Sequence, residues 1–373
     1  MALVGSAMAR KVITSQNAMQ RLAARWPRVI ASTRRKFFRS GLNSAATIFA
    51  LVVVSYVFVC AFRWAVLDGV FVADNPNTCK AAAGACWATI YHHAGIVFFG
   101  LYPKDQQWRP ELGLAWIVVC LAVPLAVRIR SVLAALILLV AGWAGFLLLI
   151  RGGFGALPRV PPEQWGGLPL TIHIFLGSVV IGFPLAVLLS LGRNSKLLLI
   201  RVVCAAVIEI ARGVPLLTIL FCAAVVVPLM LPDFISPITL NRVILAMALF
   251  FACYEAEVIR GGMRAVRRTE IEGAQALGLK PFQTIALIVL PQAIRFTIPA
   301  TVNLVVVAFK DTSLVVIVGL FDFLASANTA IASDAWAPFF GEIYLLVGLV
   351  FLLITNGITW LGRFAERRLV VLR

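Results

Sequence analysis

Long apolar runs separated by short polar or charged turns make up most of the chain. A run of about 20 apolar residues is long enough to cross a bilayer as a helix. The pattern therefore predicts an all-α polytopic membrane protein with about eight transmembrane helices, at residues 43–62, 112–127, 132–150, 168–191, 197–230, 240–259, 292–320 and 338–361. The run at 197–230 is too long for one straight helix, and Gly213 with Pro215 predicts where it bends.

Composition agrees with this pattern, since 61% of the 373 residues are hydrophobic and only 13% are charged. The net charge of +17 could indicate nucleic-acid binding, but the cations lie in the turns between apolar runs, as the positive-inside rule distributes them. We therefore expect no nucleic-acid partner. Residues 1–42 carry many cations and no acidic residue, which indicates a cytoplasmic tail lying on anionic lipid. With eight spans, both termini are cytoplasmic.

The turns also predict a division of the chain. Residues 1–42 form the basic tail, and residues 43–167 form an N-terminal transmembrane appendage with a periplasmic loop at 63–111. Residues 168–373 form a five-helix core with a cytoplasmic loop at 264–291. Within the periplasmic loop, Cys79 and Cys86 are predicted to form a disulfide if that compartment is oxidising, the alternative being two free thiols.

The loop at 264–291 is charged and rich in turn residues. Thr269 followed by Glu272 predicts a capping box at a helix start, and Gly278 followed by Pro281 predicts its end. A helix of about two turns is too short to be stable alone and needs a surface to dock on. On these signals alone, an ordinary basic loop between two membrane helices is an equal alternative.

The spacing inside this loop resembles the EAA loop of bacterial ABC importer permeases. Glu272, Gly273 and Ala274 are followed after three residues by Gly278, and after nine more by the run IVLP at 288–291. Gly273 departs from the alanine of the consensus. The resemblance implies that this helix, with Thr269 and Leu277 among its contact residues, couples the permease to an ATPase subunit.

Further runs extend the resemblance to the polar amino-acid permeases of the histidine/glutamine type. These are RGVPLL at 212–217, YEAEVIRGG at 254–262, PQAIRFTI at 291–298 and FKDTSLVVIVGL at 309–320. The N-terminal appendage, with FFGLYPKDQQW at 98–108, is most like the M subunit of the general L-amino-acid permease. The fold implied for the core is that of a type I importer permease.

The resemblance implies a permease subunit, not an enzyme, in the bacterial inner membrane. Its expected partners are two copies of an ATPase, a sister permease, a periplasmic binding protein, membrane lipid and polar L-amino acids. The chain has no GxxxxGK[ST] loop, so ATP and Mg are expected on the partner and no cofactor on this chain. A secondary amino-acid transporter and the sister Q-type subunit are the alternatives.

Charged residues within the core spans are candidates for the substrate path, because each is costly there unless it is paired or faces a cavity. Glu209 and Arg212 could pair along one helix face, either bracing the bend or serving the substrate. Lys310 and Asp311, followed by the hydroxyls of Thr312 and Ser313, could match both charges of an amino acid or form a structural pair. Glu255 and Glu257 are both expected to pair locally with Arg260 at the cytoplasmic interface. No metal site is expected.

Overall fold

The computed structural model describes residues 37–38, 40–126, 132–155, 157–232, 237–332 and 335–369. Most of the predicted basic tail and the basic turn at 128–131 lie outside the described residues. The chain forms two compact units, Met1–Cys86 and Trp87–Arg373. The described residues form helices with only isolated β-bridges, which confirms the all-α prediction.

The first unit contains helices α1 (Gly41–Phe62) and α2 (Pro76–Ala81). Ser40 caps α1, its hydroxyl accepting from the Asn43 amide at 3.2 Å, and the helix continues as a π-helical turn, Arg63–Leu67. A disulfide joins Cys79 to Cys86, with the two Cα atoms 5.5 Å apart. Since α1 buries none of its residues inside the structure, its apolar surface is available to lipid.

The second unit holds the remaining described helices. In chain order they are α3 (Ala88–Phe99), α4 (Trp108–Ala126), α5 (Val132–Arg151), α6 (Gly167–Arg193), α7 (Leu198–Gly213), α8 (Leu216–Phe221), α9 (Val227–Met230), α10 (Thr239–Ala265), α11 (Arg268–Ala276), α12 (Pro281–Gln283), α13 (Leu290–Asp311), α14 (Phe323–Ala332) and α15 (Phe340–Leu369). A π-helical segment, Thr284–Val289, joins α12 to α13.

Each predicted span coincides with a helix or, at 197–230, with a bent pair. By length and apolar composition, four helices of the described chain can cross a membrane: Gly41–Leu67, Gly167–Arg193, Pro281–Val318 and Ala337–Arg367. The pair Leu198–Gly213 and Leu216–Met230 adds a fifth if it is one span, and its 107° bend falls at the predicted Gly213 and Pro215. The total of eight crossings stays a prediction.

The centre of the second unit is the pair α6 and α10. They pack closely because α6 presents small residues to its neighbours: a Cβ on Gly182 would lie 2.8 Å from the Ala248 carbonyl oxygen. Aromatic side chains of α6, α13 and α15 meet beside this pair, with Phe309 contacting both Phe175 and Phe351. Burial of these rings, at roughly 25 cal/mol per Å² of apolar area, fixes the helix arrangement that positions the sites below.

Candidate functional site

The loop predicted to couple to an ATPase begins where α10 ends. Val266 and Arg267 have extended backbones, with ψ values of 133° and 138°, and α11 starts directly after them at Arg268. Arg267 is therefore the N-cap and no side chain caps the helix, so the predicted capping box of Thr269 and Glu272 is wrong. Because the chain turns two residues earlier than predicted, Thr269 already lies in the first helical turn and its hydroxyl is past the capping position.

The end of α11 follows from turn chemistry, as predicted. Gly278 has a left-handed backbone with φ of +80°. The Leu279 amide donates to the Ala274 carbonyl at 3.1 Å and the Gly278 amide to the Gln275 carbonyl at 2.9 Å. These two bonds form a Schellman motif, which satisfies carbonyls that a helix end leaves free. Pro281 then begins α12 at its first position, where its missing N–H costs nothing.

The surface of α11 is nearly all exposed. Ala274 alone in this helix is buried, and α11 rests on the segment Thr284–Val289. The exposed residues include Thr269, Glu272, Gly273 and Gly278, together with Leu277 at 85% exposure. Phe282 in α12 is 76% exposed. The coupling residues predicted from the sequence thus share one surface, except for Ala274, which faces inward. We call the exposed set Thr269, Glu272, Gly273, Leu277, Gly278 and Phe282 the coupling surface.

An ion-pair network lies at the end of α6 that leads into α7. Arg193 contacts the carboxylates of Glu209 at 2.7 Å and Glu257 at 3.0 Å, and Glu257 also pairs with Arg260. The predicted pair of Glu209 with Arg212 is therefore wrong. Arg212 instead lies over the Tyr254 ring, 5.1 Å from its centroid. Arg193 displaces the local partner because it reaches Glu209 from another helix, a contact that spacing along one helix cannot reveal.

The partner of Glu255 also differs from the predicted one. Its side chain is fully buried, and one carboxylate oxygen accepts a hydrogen bond of 2.6 Å from the Thr301 hydroxyl of α13. The expected local pairing with Arg260 is absent among the described contacts, because Glu255 points into the crossing of α10 and α13. Thr301 was not singled out in the sequence, since a lone threonine in an apolar run carries no signal of its own.

A cavity of 380 Å³ opens among α6, α8, α10 and α13. Most of its wall is apolar, and its polar lining residues are Ser178, Tyr254 and Asp311. The Ser178 hydroxyl already donates to the Ile174 carbonyl at 2.7 Å. The groups that remain for a ligand are therefore the Asp311 carboxylate and the Tyr254 hydroxyl.

The predicted polar cluster at 310–313 is divided by the fold. Asp311 lines the cavity, whereas Lys310 is exposed elsewhere and makes no ion pair within the described residues. The hydroxyls of Thr312 and Ser313 bond the carbonyls of Phe309 and Lys310, at 2.7 and 2.9 Å. Successive helix residues point in directions about 100° apart, so adjacency in sequence does not place them on one face. Within the described residues no three His, Cys, Asp or Glu side chains come together as a metal site.

Comparison with known proteins identifies the family. The profile described as "Binding-protein-dependent transport system inner membrane component" matches residues 178–371. This chain belongs to that family. The match covers α11, the coupling surface and the cavity, and it confirms that the chain is a permease component of a transport system and not an enzyme.

Two relatives are similar over almost their whole length. The inner membrane amino-acid ABC transporter permease protein YhdY of Escherichia coli K12 is 35% identical, covering 91% of this chain and 93% of its own. The glutamate/glutamine/aspartate/asparagine transport system permease protein BztC of Rhodobacter capsulatus is 34% identical, covering 90% and 92%. A chain from the crystal structure of an amino acid ABC transporter with histidines superposes with a TM-score of 0.49, at 26% identity over 54% of this chain and 92% of that one.

Proposed function

We propose that this chain is the permease subunit of an ATP-driven importer that moves polar L-amino acids into the cytoplasm. The observation that carries this proposal is the coupling surface: a short helix ended by a Schellman motif and almost entirely exposed, with Leu277 and Phe282 bare at its end. Apolar side chains at that exposure favour a protein partner. Family membership favours an ATPase as that partner and argues against a secondary transporter.

Movement of α11 can reach the core because the helices on either side of it cross tightly. Gly262 of α10 lies against Ala293 and Thr297 of α13: a Cβ on Gly262 would be 2.7 Å from the Ala293 carbonyl oxygen. Close-packed helices transmit displacement with little deformation. A push on α11 would therefore be shared by both helices that line the cavity.

The cavity beside Asp311 is the proposed substrate path. Every L-amino acid carries an α-ammonium group, and the Asp311 carboxylate is its natural counterpart, with the Tyr254 hydroxyl as a second polar contact. The names of the two relatives, which include amino-acid transport, support this substrate class. Arg212, which lies over the Tyr254 ring but outside the cavity lining, is our candidate for the substrate carboxylate. Lys310, Thr312 and Ser313 are left out of the path, since the fold turns them elsewhere.

The other subunits of the transport complex are also part of this proposal. Two ATPase copies would hold the ATP and Mg, a sister permease would complete the pathway, and a periplasmic binding protein would deliver substrate. The basic turns favour an orientation with both termini and α11 in the cytoplasm. The similarity of the N-terminal appendage to an M-type subunit favours a heterodimer with a Q-type sister.

A photo-crosslinking experiment tests the central proposal. Benzoylphenylalanine replaces Leu277 in the full chain, co-expressed with its partner ATPase, and replaces the exposed Leu101 as a control. Leu277 should give a crosslinked ATPase and Leu101 should not. Equal crosslinking at both positions, or none at Leu277, would show that the coupling surface is not part of the ATPase interface.

A further inference from the structure

A second, elongated cleft of 620 Å³ lies along α5, α6 and the start of α10, apart from the cavity beside Asp311. Arg151, Arg159 and Glu163 line it in the turn between α5 and α6. Along α6 the lining runs from His173 to Ile181, eight residues or roughly 12 Å at 1.5 Å per residue. The cleft therefore has a charged mouth and an interior that extends along α6.

Two arginines meet at the mouth because the turn folds back on itself. The Val160 amide donates to the Arg151 carbonyl at 2.8 Å, and the Gly153 amide to the Leu157 carbonyl at 3.0 Å. Gly153 has φ of +86°, which a glycine adopts without strain. These bonds bring the backbone at Arg159 beside that at Arg151, so both guanidinium groups stand at one mouth.

A buried third arginine holds this turn from below. Arg109 of α4 is fully buried, its Nε donating to the Leu149 carbonyl and its Nη1 to the Pro158 carbonyl, each at 2.9 Å. A Cβ on Gly152 would lie 2.1 Å from Arg109 Nη2, which shows how closely the turn wraps this side chain. The turn is thus fixed in place, and a further positive charge lies beneath it.

The charge at the mouth is predominantly positive. Arg151 and Arg159 are exposed and make no ion pair within the described residues, and Glu163 supplies the one carboxylate of the lining. Two exposed arginines at one mouth, without carboxylate partners among the described residues, suit an anionic ligand.

The interior of the cleft is mostly apolar, with Leu147, Ile181 and Leu245 in its lining. The half-buried Trp143 donates from Nε1 to Nδ1 of the buried His173 at 3.2 Å, and the exposed Asn241 is a further polar residue of the lining. The length of the lining along α6 is close to the half-thickness of a bilayer's hydrocarbon core, about 15 Å. A small anion at the arginines would leave the apolar interior empty, whereas an acyl chain would fill it.

We propose that this cleft binds an anionic glycerophospholipid, with its phosphate on Arg151 and Arg159 and one acyl chain along Leu147, Ile181 and Leu245. Guanidinium groups suit phosphate because they donate paired hydrogen bonds in a fixed plane. The lipid would join the appendage helix α5 to the core helices α6 and α10. The site does not depend on the transport proposal; only the leaflet, here the outer one, depends on the proposed orientation.

Photolabelling in nanodiscs tests this site. The transport complex is reconstituted in phosphatidylcholine containing a little phosphatidylglycerol with a diazirine on its acyl chain, and labelled peptides are mapped by mass spectrometry. Labels should concentrate on α5, α6 and α10 at the cleft. Arg151→Gln/Arg159→Gln should reduce them about tenfold, through the loss of charge-assisted hydrogen bonds. The matched control Lys196→Gln/Arg201→Gln, which removes an exposed cation of the turn before α7 and another in the first turn of α7, should not.

Further arms separate the possible ligands. Leu245→Trp, which fills the cleft and keeps both arginines, should also reduce labelling. Equal labelling by a diazirine phosphatidylcholine, or labels spread evenly over all lipid-facing helices including α1, would overturn the proposal. Displacement of the label by soluble glycerol phosphate would overturn it in favour of a small-anion site. Transport activity enters none of these readouts.

Discussion

Thr301 of α13 donates a hydrogen bond of 2.6 Å to the buried carboxylate of Glu255 in α10. The other carboxylate oxygen of Glu255 is buried and has no hydrogen-bond partner among the described residues. Removing the Thr301 hydroxyl would leave both oxygens unsatisfied at the crossing that links α11 to the core. This bond therefore holds together the two helices through which α11 would act.

Thr301→Val should lower the free energy of unfolding by about 1–3 kcal/mol, the usual cost of leaving a buried polar group unpaired. The matched control is Thr359→Val, since that hydroxyl bonds only a carbonyl of its own helix, Thr355, at 2.8 Å. Thermal unfolding of the two purified variants measures the difference. Equal melting temperatures would mean that the Glu255 bond contributes nothing to the crossing.

The two partners of Arg193 should differ in importance. The Glu257 side chain is 16% exposed, whereas that of Glu209 is 67% exposed and its ion pair is screened by solvent. Glu257→Gln should therefore destabilise the chain by roughly 1–3 kcal/mol and Glu209→Gln by less than about 1 kcal/mol. In high salt the same melting measurement should show an even smaller destabilisation by Glu209→Gln. A larger cost for Glu209→Gln would contradict this order.

These contacts show where sequence reasoning succeeds and where it ends. The stop of α11 at Gly278 and the bend at Gly213 and Pro215 follow from the backbone preferences of single residues, so the sequence alone predicts both. The partner of Glu209 depends on how α6 packs against α7, and nothing in the spacing along one helix carries that information. In the sequence, Arg193 is simply one of the cations in a turn between apolar runs.

The prediction that residues 310–313 form one polar site is wrong for a related reason. Four adjacent polar residues look like one site in the sequence, but Asp311 ends α13 and a 3-10 helix, Thr312–Val318, follows. The rotation of about 100° between neighbouring helix residues sends Lys310 and Asp311 to different surroundings. Tyr254, which shares the cavity with Asp311, comes from a distant helix and could be found only from the fold.

Asp311→Asn should lower uptake at least tenfold in reconstituted vesicles, because it removes the charge that would hold the substrate ammonium group. Lys310→Gln is the matched control: it changes the neighbouring charge, which lies outside the cavity, and should leave uptake nearly normal. Membrane abundance of both variants must match that of the parent chain. Equal defects in the two variants would instead favour a structural role for the whole run.

Asp322 should make stability depend on pH. Burial raises the pKa of its carboxyl to about 6, and hydrogen bonds from backbone amides, including that of Ala325, only partly oppose this shift. The folded chain therefore binds the proton more tightly than the unfolded chain, whose carboxyl has its ordinary pKa near 3.8. The stabilisation is complete below about pH 4 and is lost as the pH rises through about 6.

Asp322→Asn isolates this effect, because its side-chain oxygen can still accept from the Ala325 amide and cap α14. Between pH 4 and pH 7 the parent chain should lose stability relative to this variant. Melting curves of the two proteins at several pH values give the comparison. Parallel curves would show that Asp322 has the same pKa in the folded and unfolded chains.

Gly278 ends α11 with a left-handed backbone. A Cβ there would meet no atom within 4 Å, so the cost of substitution is conformational: φ is +80°, which strains a residue with a side chain by roughly 1 kcal/mol or more. A carboxylate at this position adds a few tenths of a kcal/mol, because it lies at the negative end of the helix. The Schellman bonds would weaken and Leu277 would lose its fixed place on the coupling surface.

Gly278→Asp should therefore leave the chain inserted in the membrane but abolish uptake, and the ATPase of the complex should no longer respond to loaded binding protein. Gly273→Ala is the matched control. Gly273 is also exposed, a Cβ there also meets nothing within 4 Å, and its helical backbone accepts alanine, which favours the helix by about 1 kcal/mol. Proteoliposomes measure uptake and ATP hydrolysis together. If Gly273→Ala keeps normal uptake, a loss in Gly278→Asp is due to the left-handed turn and not to the presence of a side chain on this helix. Near-normal uptake by Gly278→Asp would show that the fixed end of α11 is not needed for coupling.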